Sequence, residues 1–143
     1  MILKTILAAK GGEVVSIEPT ADLAAAAKLL AERRIGAVMI LGPGGRIAGI
    51  LSERDIVRAV AEHGAPALKQ SVAQVMTRNV ATCGENEPID KIMERMTAGK
   101  FRHMPVVEAG RLIGIVSIGD VVKQRVDEVE RESEALREYI RSA

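Results

Sequence analysis

The sequence predicts a mixed α/β (α+β) fold in which one small unit occurs twice, followed by a separate amphipathic helix. Three observations predict it: an internal repeat, the order of strand-like and helix-like stretches within each copy, and a heptad pattern towards the carboxyl end. GRIAGILSERDIV, from Gly45 to Val57, returns as GRLIGIVSIGDVV from Gly110 to Val122. Seven of the thirteen positions are identical, where chance gives about one, and most of the others exchange one aliphatic for another.

Each copy reads in the same order. The opening LKTIL resembles the later VAQVM, so each copy is expected to carry a short leading helix. A β-branched stretch follows, VVSI in the first copy and VATC in the second, each suited to a strand. Next comes a helix whose apolar set, Leu23, Ala26, Ala27 and Leu30, corresponds to Ile89, Ile92, Met93 and Met96. Its start is expected near Thr20 or Asn86, both good N-caps, with Pro88 in the first turn of the second copy. Two apolar strands come after it, AVMIL and IAGILS or MPVV and LIGIVS, and a second helix begins at about Glu53 or Ile118. The strands are joined by GPGG in one copy and EAG in the other, and this one-residue indel falls in a turn, where a hairpin tolerates it.

A unit of about fifty residues is too small to cover its own sheet, so the two copies are expected to pack together. The expected division is 1–66 for the first copy, 67–125 for the second and 126–143 for the final helix, with His63 to Arg78 as the crossing segment. In that final stretch Val122, Val126, Val129, Ser133, Leu136 and Ile140 repeat at spacings of four and three in a charged background. Such a seam either lies on the body of the protein or pairs with a second chain.

Composition narrows the function classes. Apolar residues make up 48% and charged residues 27%, well inside the globular range. Twenty basic against nineteen acidic side chains leave a net charge of +1, and the aromatics are Phe101 and Tyr139 alone. There is thus neither the field nor the stacking surface that nucleic acid binding requires. No apolar run is long enough to span a bilayer. One cysteine and no secretory leader pattern make the cytoplasm the expected compartment. His63, His103 and Cys83 are too scattered for a metal site, and no nucleophile with a matching base accompanies them, so neither a metal nor an enzyme is expected.

The repeated Ser and Asp admit two readings. Ser followed three residues later by an acid at a helix start is a capping box that satisfies orphan amides. Yet each motif follows a strand, at the edge where strand-to-helix loops of α/β folds place ligands. There the free amides suit phosphate, while a carboxylate suits the paired hydroxyls of a ribose. A nucleoside phosphate fits the pair better than bare phosphate does.

Two copies of this order, each closing in GILSERD or GIVSIGD, and an upstream FRHMPVV like the family's signature before its second strand, resemble the CBS domain, named after cystathionine β-synthase. The resemblance runs from about Lys4 to Gln124 and leaves the final helix outside it. It implies a pseudo-twofold pair, or Bateman module, with two clefts that take adenine nucleotides such as AMP, ADP, ATP or NAD. It also implies that each Asp holds ribose, that each Ser contacts ribose or phosphate, and that each cleft borrows a wall from the other copy. By position, one cleft combines Ser52, Arg54 and Asp55 with Thr77, Val80, Phe101, Arg102 and His103. The other combines Ser117 and Asp120 with Ile35, Gly36 and Ala37. Arg54 has Gly119 as its counterpart, and Phe101, Arg102 and His103 have Ile35, Gly36 and Ala37 as theirs, so the sites are expected to differ, one being better furnished for phosphate. The expected function is a non-catalytic regulatory module, a homodimer that signals nucleotide occupancy to a partner protein. The alternative is a structural dimerisation adaptor with idle clefts.

Overall fold

The computed structural model describes residues 2–142. Both copies build their central layer in one register. Strand β1 (Ala37–Leu41) runs antiparallel to β2 (Ile47–Ser52), and β3 (His103–Glu108) runs antiparallel to β4 (Arg111–Ser117). A bulge falls at the same place in each, after the Ile40–Gly49 pair and after the Val106–Gly114 pair. The connections carry the indel. Ala109 and Gly110, at φ 50° and 76°, form the two-residue turn of the second hairpin, whose primed geometry matches strand twist. The first hairpin needs a longer 3-10 turn at Pro43–Gly45.

VVSI and VATC contribute less than full strands. Each makes one parallel bridge, Ser16 with Met39 and Cys83 with Val106, because Pro19 and Gly84 follow closely and neither sustains a ladder. The next helices start two residues later than expected. α2 (Leu23–Arg33) is capped by Asp22, whose carboxylate accepts the Ala25 amide at 2.8 Å. An acid there also favours the positive helix end, which displaces Thr20 as the cap. α5 (Ile89–Gly99) begins after Pro88, whose extended ψ of 141° keeps the chain outside the helix until then and leaves Asn86 too far upstream. Both helices end in a left-handed residue that is not glycine, Arg34 at φ 54° and Lys100 at φ 56°. These turns direct segments 35–37 and 101–103 onto the strands that follow.

The leading helices exchange places. α1 (Leu3–Lys10) buries Leu3 and Ile6 in the core formed by Ile89, Ile92, Met96, Met104, Val106, Val116 and Val121 of the second copy. α4 (Val72–Val75), with the 3-10 turn Ala65–Lys69 before it, buries Ala67, Val72 and Met76 among Leu23, Leu30, Val38, Ile40, Leu51 and Ile56 of the first. The contacts are equivalent on the two sides: a Cβ on Gly49 would lie 2.6 Å from the Met76 sulfur, and one on Gly114 would lie 2.7 Å from Leu7. Each copy therefore closes its core with a helix that the chain supplies next to the other copy.

After the strands come α3 (Glu53–His63) and α6 (Ile118–Ser142). α6 buries Val121 and then runs on as a long helix, with Val122, Val126, Val129, Leu136 and Ile140 all exposed.

Candidate functional site

Both Ser–Asp motifs form complete capping boxes. The Ser52 hydroxyl accepts the Asp55 amide at 3.3 Å while Asp55 Oδ2 accepts the Ser52 amide at 2.9 Å. Ser117 and Asp120 repeat this at 3.2 and 2.9 Å. Only one oxygen of Asp55 is used in this way, and Oδ1 lies outside the bond. The first amide of each helix is tied to its own copy: Glu53 N–H donates to Gly36 O at 2.9 Å and Ile118 N–H to Arg102 O at 2.7 Å.

Around the first box lies a cavity of about 340 Å³, within the size range of small-molecule sites. It is lined by Ser52, Arg54, Asp55, Thr77, Val80, Phe101, Arg102 and His103, the whole set that the sequence assigned to one cleft. Thr77 is placed by an antiparallel bridge to Ile50, with N···O distances of 2.9 and 3.0 Å. Phe101 packs against Gly99, where a side chain would collide with its ring. Arg54 reaches the Lys100 carbonyl at 3.4 Å, so a cation from one copy borders the segment of the other.

The second motif is arranged differently. Lys10, at the end of α1, donates to Asp120 Oδ2 at 2.7 Å and to the Ile115 carbonyl at 3.0 Å. Ile115 is the counterpart of Ile50, so a lysine stands where the first copy has the Thr77 backbone. Ile35 and Gly36 line a shallow depression with Arg34, Glu53 and Val57, which neither Ser117 nor Asp120 borders. Ala37 is buried at the start of β1.

His103 sits between the two halves. Its Nε2 would lie 2.8 Å from a Cβ on Gly36, so a side chain there would have to push the imidazole aside. Burial lowers its pKa below the ordinary histidine value; Glu53 and Asp120 oppose that, while Lys10 and Arg102 add to it. Burial pushes the Asp120 pKa up, but hydrogen bonds from Lys10 and Ser117 outweigh it and hold the carboxyl below its usual range.

A family model for the CBS domain matches residues 11–62 and again 72–127. The chain belongs to the CBS domain family. Its repeats form a CBS pair like that of the Agrobacterium tumefaciens CBS-domain protein ATU1752, 49% identical with a TM-score of 0.85 over 87% of this chain and 99% of that one. The CBS protein PAE2072 of Pyrobaculum aerophilum, solved with AMP, is 28% identical with a TM-score of 0.72, covering 84% of this chain and 89% of that one. The CBS pair of protein MJ0100, solved with methylthioadenosine and S-adenosyl-L-methionine, is 28% identical with a TM-score of 0.79, covering 90% and 98%. Among curated relatives, the mitochondrial CBS domain-containing protein CBSX3 of Arabidopsis thaliana is 34% identical over 80% of this chain, which spans 58% of that protein. The L-aspartate semialdehyde sulfurtransferase of Methanocaldococcus jannaschii is 34% identical over 67% of this chain, but the match spans only 18% of that enzyme. No helix among the described residues is long and apolar enough to cross a membrane.

Sequence reasoning missed several residues of this CBS pair. Ile50, Glu53, Arg58, Asn79, Ala81 and Gly99 also line the cavity. Arg58 was findable, since it stands four residues after Arg54 on one helix face. Lys10 was findable too: Leu3 and Val72 stand sixty-nine apart, but Val14 and Val80 stand sixty-six apart. Three extra residues after Leu7 lengthen α1 and bring Lys10 to Asp120.

Proposed function

We propose that this CBS pair is a non-catalytic regulatory module that binds an adenine nucleotide in the first cleft and reports its occupancy to a protein partner as a homodimer. The observation that carries this reading is the convergence on one cavity of two carboxylates, Glu53 and Asp55, three guanidinium groups and apolar walls drawn from both copies. Asp55 Oδ1 accepts the ribose hydroxyls, as a carboxylate can for two neighbouring donors. Arg54, Arg58 and Arg102 meet phosphate, and Ile50, Val80 and Ala81 bury the base. The adenine-type ligands named for PAE2072 and MJ0100 support this ligand class. The cytoplasm, where adenine nucleotides are abundant, is the compartment we assign.

The second cleft is held by Lys10, so the expected stoichiometry is one nucleotide per chain. Titration calorimetry and thermal denaturation with AMP, ATP, NAD and adenosine test the reading. At about 100 times the dissociation constant a ligand stabilises the fold by roughly 2.7 kcal/mol. Silence towards all four in both assays would sink the reading and favour the adaptor role.

A further inference from the structure

The outward stripe of α6 carries a charge code beside its apolar positions. In one heptad frame Val122, Val129 and Leu136 take d positions, and Val126, Ser133 and Ile140 take a positions. The five apolar members are between 41% and 64% exposed. Lys123, Glu130 and Arg137 then fall at e, and Arg125, Glu132 and Tyr139 at g.

Two helices laid parallel and in register bring each g residue to the e residue five places on in the other helix. Arg125 then faces the partner's Glu130, and Glu132 faces the partner's Arg137, opposite charges in both cases. An antiparallel pair covering the same stripe joins e to e and g to g. It sets Glu130 on the partner's Glu130, Glu132 on the partner's Glu132 and Lys123 on the partner's Arg137. All three are like-charge contacts.

We propose that a second copy of this chain covers the stripe, with the two α6 helices parallel and in register. The inference rests on the homodimer reading and adds the direction in which the helices run. Ser133 supports the register, because it meets the partner's Ser133, and a single polar residue at an a position favours the alignment that pairs it with itself. Arg125 is held at 3.0 Å by Glu128 of its own helix. The Arg125 side chain is 46% exposed, and an ion pair with so exposed an end contributes little. The seam spans fewer than the three to four heptads that hold a coiled coil by themselves, so the bodies of the two chains must contribute. Since α6 starts at the Ser117–Asp120 box, parallel pairing sets both boxes at the same end of the dimer.

The test uses the full chain carrying Ile140→Cys. Val122 and Ile140 lie about 27 Å apart along the helix at 1.5 Å per residue, so orientation decides which residues can join. Parallel pairing predicts a disulfide-linked dimer under mild oxidation. The native chain should not link, because Cys83 is buried with its thiol pKa pushed up to about 12. Linkage instead between separate Val122→Cys and Ile140→Cys chains, mixed together, overturns the proposal. A dimer in sedimentation that gives no Ile140→Cys link overturns the direction and leaves the homodimer standing, whereas a monomer removes both. Glu130→Arg should weaken the dimer about tenfold, and Arg125→Glu added to it should restore the affinity. Indifference to both changes refutes the charge code.

Discussion

Replacing Lys10 with Met keeps most of the aliphatic stem and removes the charge that holds Asp120. A charge-assisted hydrogen bond in a buried setting contributes about 1.5–3 kcal/mol, and a fully exposed ion pair about 0.2–1 kcal/mol. Lys10 is 37% exposed and Asp120 27%, so after screening the expected loss is about 1 kcal/mol. For a chain of this size that lowers the melting temperature by roughly 3–4 °C. The loss should depend on pH in one direction. A carboxyl held below its unfolded pKa stabilises the fold above about pH 4, and that contribution disappears as the pH falls through the folded value. The gap between the native chain and Lys10→Met should therefore close below about pH 4. Calorimetry gives a second readout. The vacated cleft presents a carboxylate, with Gly119 where the first copy has Arg54, so it favours an uncharged nucleoside over a nucleotide. Adenosine should bind Lys10→Met at two sites per chain and the native chain at one. If the native chain already takes two equivalents of AMP, or if the variant melts lower yet gains no adenosine site, Lys10 does not close the cleft.

Asp55→Asn keeps an oxygen for the Ser52 amide but loses the charge; AMP affinity measured by calorimetry should fall at least about tenfold while the melting temperature moves by less than about 2 °C. Arg54→Ala should weaken AMP by roughly tenfold or more and leave adenosine nearly unchanged, since only the phosphate loses a partner. His103 is neutral in the fold at pH values where an unfolded histidine is partly protonated, so its contribution to stability is present above about pH 6.5 and falls away as the pH drops. Phosphate beside it favours the imidazolium. AMP should therefore bind up to about tenfold more tightly at pH 6 than at pH 8, with proton uptake visible as buffer-dependent heat, while adenosine should show no such trend. Leu3→Ala should cost about 2–5 kcal/mol, and near-native hydrogen exchange should show β3 and β4 losing protection before β1 and β2.

The repeat, the element order and the first cleft were legible because each rests on local pattern. Alternating strands, heptad spacing and the Ser–Asp boxes are written in neighbouring residues, and the eight residues of the first cleft were carried over by position from the resemblance to the CBS domain. What escaped was non-local or came from small competitions. LKTIL and VAQVM look alike, so nothing in either says which core it enters; the exchange depends on the path of the chain. Thr20 lost its role to Asp22 because a carboxylate nearby outcompetes a hydroxyl for the same amides. The expectation for the second cleft, carried over from the family resemblance, did not include the end of α1. Three residues after Leu7 were enough to bring a lysine into the space where the first copy keeps its backbone bridge.

The exchange of leading helices also has a consequence during biosynthesis. Leu3 and Ile6 are made before either repeat, yet the residues that bury them extend to Val116 and Val121, at the other end of the body. At roughly 5–20 residues per second, α1 waits about 5–20 s before its core exists. The Met76 core, by contrast, is complete well before that, since every member lies between Leu23 and Met76. The first half can thus form while the ribosome is still at work, with an amphipathic helix ahead of it that has no core to enter. That interval is when a chaperone that grips short apolar helices has its target, and it ends only when β4 and the first turn of α6 arrive.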